Sequence, residues 1–127
     1  MAFDFPKMWA KGAAEAFKDS VDLSLLADIQ EDIKEDRIKL GVRRLLKRYN
    51  VHYIMPVQNG MGTPALDFHC CVNGKYLAIE TKRPGSVPTA RQRNIISGIE
   101  KAGGYVMVVS DAARLIELEV VLIALSN

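Results

Sequence analysis

"LDFHCCVNGKYLAIETK", residues 66–82, decides the fold. Two strand-like runs flank Asn73-Gly74, the dipeptide best suited to a two-residue hairpin turn. Such a turn fixes the register: Val72 faces Lys75, Cys70 faces Leu77 and Phe68 faces Ile79, making one apolar face. The opposite face carries Asp67, His69, Ala78 and Glu80, with Lys82 one step beyond. Directly opposed side chains sit about 5 Å apart at Cβ, and like charges there destabilise the sheet. Asp67 opposite Glu80 therefore calls for a proton or a cation between the two carboxyls.

Working outward, the residues from about Ile29 to Tyr49 carry a helical period, with Ile38, Val42, Leu45, Leu46 and Tyr49 on one stripe. Lys39, Arg43, Lys47 and Arg48 fall elsewhere on that helix. Glu35 continues the buried stripe at its N-terminal end, where it can approach the sheet or simply favour the helix dipole. "VHYIMPV" reads as a strand that Pro56 ends or confines to an edge. "QNGMGTPA" is a glycine-rich loop in which Gly60 and Gly62 either admit the close approach of a ligand or supply turn dihedrals. After the hairpin, "RPGSVP" is a turn, and Thr89 to Ala102 is a helix closed by Gly103-Gly104. "YVMVVS" is a strand covered on both faces, and the tail from Asp111 is a helix, although its β-branched residues leave a strand open. The order is helix, three strands, helix, strand, helix: an α/β domain with a mixed sheet. The strand–helix–strand unit over residues 75–110 should cross over right-handedly and make its two strands parallel.

Residues 6–18 suit a short amphipathic helix (Trp9, Ala13, Ala14, Phe17), and residues 23–27 suit the start of another. They form an acidic arm, residues 1–27, ahead of a domain spanning residues 28–127. The arm packs on the domain or on a partner.

The chain has 127 residues, 49% hydrophobic and 25% charged, enough for one core without a disulfide or metal staple. Cys70 and Cys71 are adjacent and point to opposite faces of a strand, so they cannot pair. Reduced thiols, no secretory signal and no apolar run long enough to span a bilayer lead us to expect a soluble cytoplasmic protein. The net charge is +2, but residues 1–33 carry −4, residues 34–93 carry +8 and residues 94–127 carry −2. A basic centre between acidic ends suits a polyanionic partner, although a solvated helix face gives the same run. Lys47, Arg48, Arg91 and Arg93 are the candidate phosphate contacts.

Oxygen ligands from Asp67 and Glu80 suit Mg²⁺ or Mn²⁺ rather than zinc. Lys82, on the same face, can hold or polarise an anionic substrate beside that ion, a combination suited to phosphodiester hydrolysis. The bland alternative is that Glu80 and Lys82 form an exposed pair at a strand end. Thr89 and Gln92 have the spacing of a capping box, and Gln92 continues the stripe Ile95, Ile96, Ile99, so we expect it to share both roles. His69 is more simply a partly buried, hydrogen-bonded histidine.

"GMGTPALDF", "LAIETKRPG", "PTARQ" and "AGGYVMVV" together resemble the VRR-NUC family of the PD-(D/E)XK nuclease superfamily, particularly its small stand-alone phage and bacterial members. The resemblance runs from about residue 35 to residue 110. It implies a restriction-endonuclease-like core, α-β-β-β-α-β, and a Mg²⁺- or Mn²⁺-dependent DNA endonuclease. Asp67 would match the motif aspartate, Glu80 and Lys82 the E-x-K, and Thr81 the position whose backbone carbonyl binds metal. Glu35 would match the acid on the first helix and Gln92 the later glutamine. The family places Pro immediately before Asp; here two residues separate Pro64 from Asp67. The resemblance further implies branched or double-stranded DNA as partner, flaps or four-way junctions among the substrates, and action as a homodimer in some members. It implies a setting in DNA repair or recombination, in bacteria or a phage-infected host. A non-cleaving DNA-binding or assembly module on the same fold is the rival reading.

Overall fold

The structure, a computed structural model, describes residues 35–58 and 60–127. The acidic arm, the boundary at residue 28 and the helix turns before Glu35 lie outside the described residues. Seven elements follow in the order α1 (Glu35–Arg48), β1 (His52–Ile54), β2 (Phe68–Val72), β3 (Lys75–Thr81), α2 (Ala90–Lys101), β4 (Tyr105–Val109) and α3 (Ala112–Ser126). The strands form one mixed sheet in the order β1-β2-β3-β4. The first two pairings are antiparallel and the last is parallel. This is a small α/β domain with the expected element order.

The hairpin register is the expected one: Phe68 pairs with Ile79, Cys70 with Leu77 and Val72 with Lys75. Asn73 (φ 49°) and Gly74 (φ 77°) both adopt left-handed backbone, which a type I′ turn requires. Phe68, Cys70, Leu77 and Ile79 then join Ile38, Val42, Leu45 and Leu46 of α1 and Leu115, Leu118, Leu122 and Leu125 of α3 in one buried core. A Cβ on Gly41 would lie 2.8 Å from Leu115 Cδ1, so glycine there sets how closely α1 approaches α3.

The tail resolves as helix for two local reasons. Its leucines recur every three or four residues and all four are buried, and the Asp111 side chain accepts a bond from the Arg114 N–H at 2.8 Å. β1 is shorter than the run "VHYIMPV" suggested, because pairing stops at Ile54, two residues before Pro56. A Cβ on Gly104 would meet Ile99 at 2.7 Å and Tyr76 at 3.0 Å. The α2 helix thus returns to the sheet over the face that carries Tyr76, opposite α1 and α3.

Candidate metal centre

Asp67 sits one residue before β2, at the end of the hairpin where the ladder stops. A hairpin closed by a two-residue turn makes hydrogen-bonded pairs at every second position outward, so the next bond after Phe68–Ile79 would link Thr81 to Leu66. The Asp67 carboxylate takes that place. Its Oδ2 accepts from the Thr81 N–H at 2.9 Å and from the Thr81 hydroxyl at 2.6 Å. Backbone N–H and C=O of one strand residue point to the same side, so the Thr81 carbonyl leaves β3 on the edge that Asp67 occupies.

Glu80 lies beside it, 3% exposed, and its carboxyl shares a hydrogen bond with Asp67. Its Oε2 is buried with no hydrogen-bond partner among the described residues. Burial, then the hydrogen bond and charge of Asp67, then the charge of Glu35, push the Glu80 carboxyl up to about 8, against a smaller opposing pull from Lys82. Burial also pushes Asp67 up, but bonds from Glu80 and both Thr81 donors, together with the Lys39 ammonium, outweigh it and hold Asp67 below its ordinary value. The pair therefore gives up its last proton less readily than two separated carboxyls would.

The expected residues divide by location. Asp67, Glu80 and Thr81 are in direct contact, and Glu35 and Lys82 lie close enough for their charges to act on Glu80. Glu35 is not on the buried stripe as expected. Its side chain is 38% exposed and paired with Lys39 at 3.6 Å, whereas Ile38, three residues on, is fully buried. Gln92 closes the capping box: its Oε1 accepts from the Thr89 N–H at 3.0 Å, and its own N–H donates to Thr89 Oγ1 at 3.1 Å. Thr89 is its hydrogen-bond partner among the described residues, so the capping half of its expected shared role is the half that is visible. His69 shares a hydrogen bond with the Tyr76 hydroxyl, as the simpler reading held.

The basic residues also divide. Arg48 lies 3.7 Å from the fully buried Glu119, and Arg93 donates to the Pro88 carbonyl at 2.8 Å; both side chains tie the fold together. Lys47 is exposed on α1, and Arg91 is exposed beside the glycine loop. Gly60 (φ 82°) and Gly62 (φ 84°) use the left-handed region, and a Cβ on either would meet nothing within 4 Å. Their turn dihedrals account for the glycines, and the space above them stays open to a ligand.

Sequence reasoning missed Lys39, read as a surface residue. It stands 3.8 Å from Asp67 as well as 3.6 Å from Glu35. Its spacing of four from Glu35 was the available signal. The donor chemistry fits a hard divalent cation: two carboxyls, one of them with an unpartnered buried oxygen, and a carbonyl on the same edge. Groups of three or more His, Cys, Asp or Glu placed to hold a metal are absent among the described residues, so the remaining ligands of such an ion would be water and backbone. No helix among the described residues is long and apolar enough to cross a membrane. The chain matches no protein-family model, no curated protein and no solved structure.

Proposed function

We propose that the chain is a Mg²⁺- or Mn²⁺-dependent deoxyribonuclease of the PD-(D/E)XK type, with a restriction-endonuclease-like core and branched DNA as its preferred substrate. The observation that carries this reading is the Asp67–Glu80 pair: two carboxyls side by side at the end of the hairpin, Asp67 fixed by both Thr81 donors and Glu80 buried with an unpartnered oxygen, with Lys82 just past β3. A structural salt bridge would not leave a buried, unpartnered Glu80 oxygen.

Asp67, Glu80 and the Thr81 carbonyl would hold the ion, with Glu35 assisting through water from the rim. A bound divalent cation lowers the pKa of a water and offsets charge gathering on the phosphate. Thr81 fixes Asp67 through two donors, so that carboxylate is already oriented. Lys39 balances its charge from the α1 side. Lys82 supplies three donors and a positive charge for the scissile phosphate or the attacking water. Arg91 and the open glycine loop offer phosphate contacts beside the site.

The test is cleavage of labelled flap, four-way-junction and linear DNA by the full chain, with Mg²⁺, with Mn²⁺ and with chelator. Metal-dependent cutting that is strongest on a branched substrate is expected. Binding without metal-dependent cutting on any substrate would replace this reading with the non-cleaving module.

A further inference from the structure

Away from the carboxyl pair, a basic groove of about 580 Å³ lies between α1 and β1. Leu40, Arg43, Arg44, Lys47, His52 and Tyr53 line it, and no carboxylate is among its lining residues that are described. Arg43 and Lys47 are exposed and stand four residues apart, so they form a row of two cations along the α1 wall. The β1 wall is aromatic: His52 is exposed and Tyr53 half-buried. The Tyr53 ring rests against Phe68 with centroids 5.9 Å apart, which holds it in place. Leu40, 37% exposed, adds apolar surface between them.

The groove adjoins the proposed site along both walls. Pro56, three residues after Tyr53, lines the glycine-loop concavity together with Arg91, and three residues of chain span at most about 10 Å. Arg43 lies about 12 Å along α1 from Glu35, the length of about three or four stacked nucleotides of one strand. Duplex DNA, with its bases stacked inside, would satisfy the cations and leave His52, Tyr53 and Leu40 uncovered. An unpaired strand offers phosphates to the cations and base faces to the two rings, the combination that holds single strands.

We propose that the α1–β1 groove seats the unpaired strand of a branched DNA, phosphates against Arg43 and Lys47 and bases against His52 and Tyr53. The adjoining duplex then meets the carboxyl pair. This inference rests on the deoxyribonuclease reading for its substrate, and binding measured in chelator separates the two.

The test is titration of the full chain, in chelator, with a labelled oligothymidine and with a labelled DNA duplex. His52→Ala and Tyr53→Leu (which keeps an apolar side chain against Phe68) should each weaken oligothymidine binding about tenfold and leave duplex binding unchanged. His52 stands outside the core, so its variant reads the groove even where Tyr53→Leu unfolds. Arg43→Glu/Lys47→Glu should weaken oligothymidine binding and lower its salt slope by roughly 0.7 for each of the two phosphates released. Oligothymidine that does not bind, or that binds these variants like wild type, overturns the proposal. Equal losses for single strand and duplex in both ring variants also overturn it, because the groove then reads only phosphate. So does a wild-type dimer that Arg43→Glu/Lys47→Glu converts to monomer, which assigns the groove to a second copy. Metal-dependent cutting of flap DNA with oligothymidine binding unchanged in every variant removes the groove and leaves the nuclease standing. Groove-dependent binding without cutting of any DNA supports the groove and removes the nuclease.

Discussion

Burial and Asp67 both penalise the charged form of Glu80. Its pKa rises from the ordinary 4.5 to about 8. A carboxyl raised in this way contributes stability that is fully present below its unfolded value and is lost as pH rises through its folded value. In chelator, the melting temperature of the wild type should therefore fall from about pH 4.5 to about pH 8 on Glu80's account. Asp67 has the opposite sign: its lowered pKa stabilises the fold above its ordinary 3.8 and that contribution is lost in stronger acid. Asp67→Asn keeps an acceptor for Thr81 and turns an amide N–H toward Glu80. We expect this variant to melt above the wild type in chelator at about pH 9, with a flatter profile between the two carboxyl values. Parallel melting profiles for the two proteins would refute the coupling between Asp67 and Glu80. Lys82→Ala should leave melting nearly unchanged and reduce cleavage roughly a hundredfold, the scale of losing one preorganised charge at a reacting centre. A variant that turns over like wild type removes Lys82 from the chemistry.

At the scale of elements, the site depends on how α1 and α3 are fastened and how α2 begins. Tyr49, just past α1, donates to the buried Glu119 of α3 at 2.5 Å, and Arg48 adds its charge at 3.7 Å. Tyr49→Phe leaves that carboxylate short of a charged-group hydrogen bond and should cost about 2 kcal/mol in denaturant unfolding; an unchanged midpoint would show that the bond is not needed. Thr89→Ala and Gln92→Ala should each cost about 1 kcal/mol, and the double variant should cost less than their sum, since both break one capping box. Additive losses would mean that Gln92 stabilises something other than the cap. The hairpin and the α2 cap were legible because both are local: Asn73-Gly74 dictates register, and Thr89 and Gln92 lie three residues apart. The Tyr49–Glu119 contact spans 70 residues, and nothing in either segment marks the other. Glu35 was misplaced for a related reason. A helical stripe says which way a residue faces but not how deep it sits, and here Ile38 is fully buried while Glu35 stays 38% exposed.

At the scale of the whole molecule, charge is segregated: residues 35–127 carry +5 and residues 1–34 carry −3. A polyanion approaching the basic domain meets Arg43 and Lys47, exposed on α1, and Arg91, exposed beside the glycine loop. Arg91 lines one concavity with Pro64 and Ala65, just ahead of Leu66 and Asp67, so it is the first phosphate contact to test. Affinity for duplex DNA in chelator falls with salt at a slope that counts the phosphates neutralised, roughly 0.9 per contact. Arg91→Glu should therefore lower the slope by about one and weaken binding across sequences. The measurement is a binding titration across a salt series for the full chain and this variant. An unchanged slope and affinity would remove Arg91 from the contacts to phosphate.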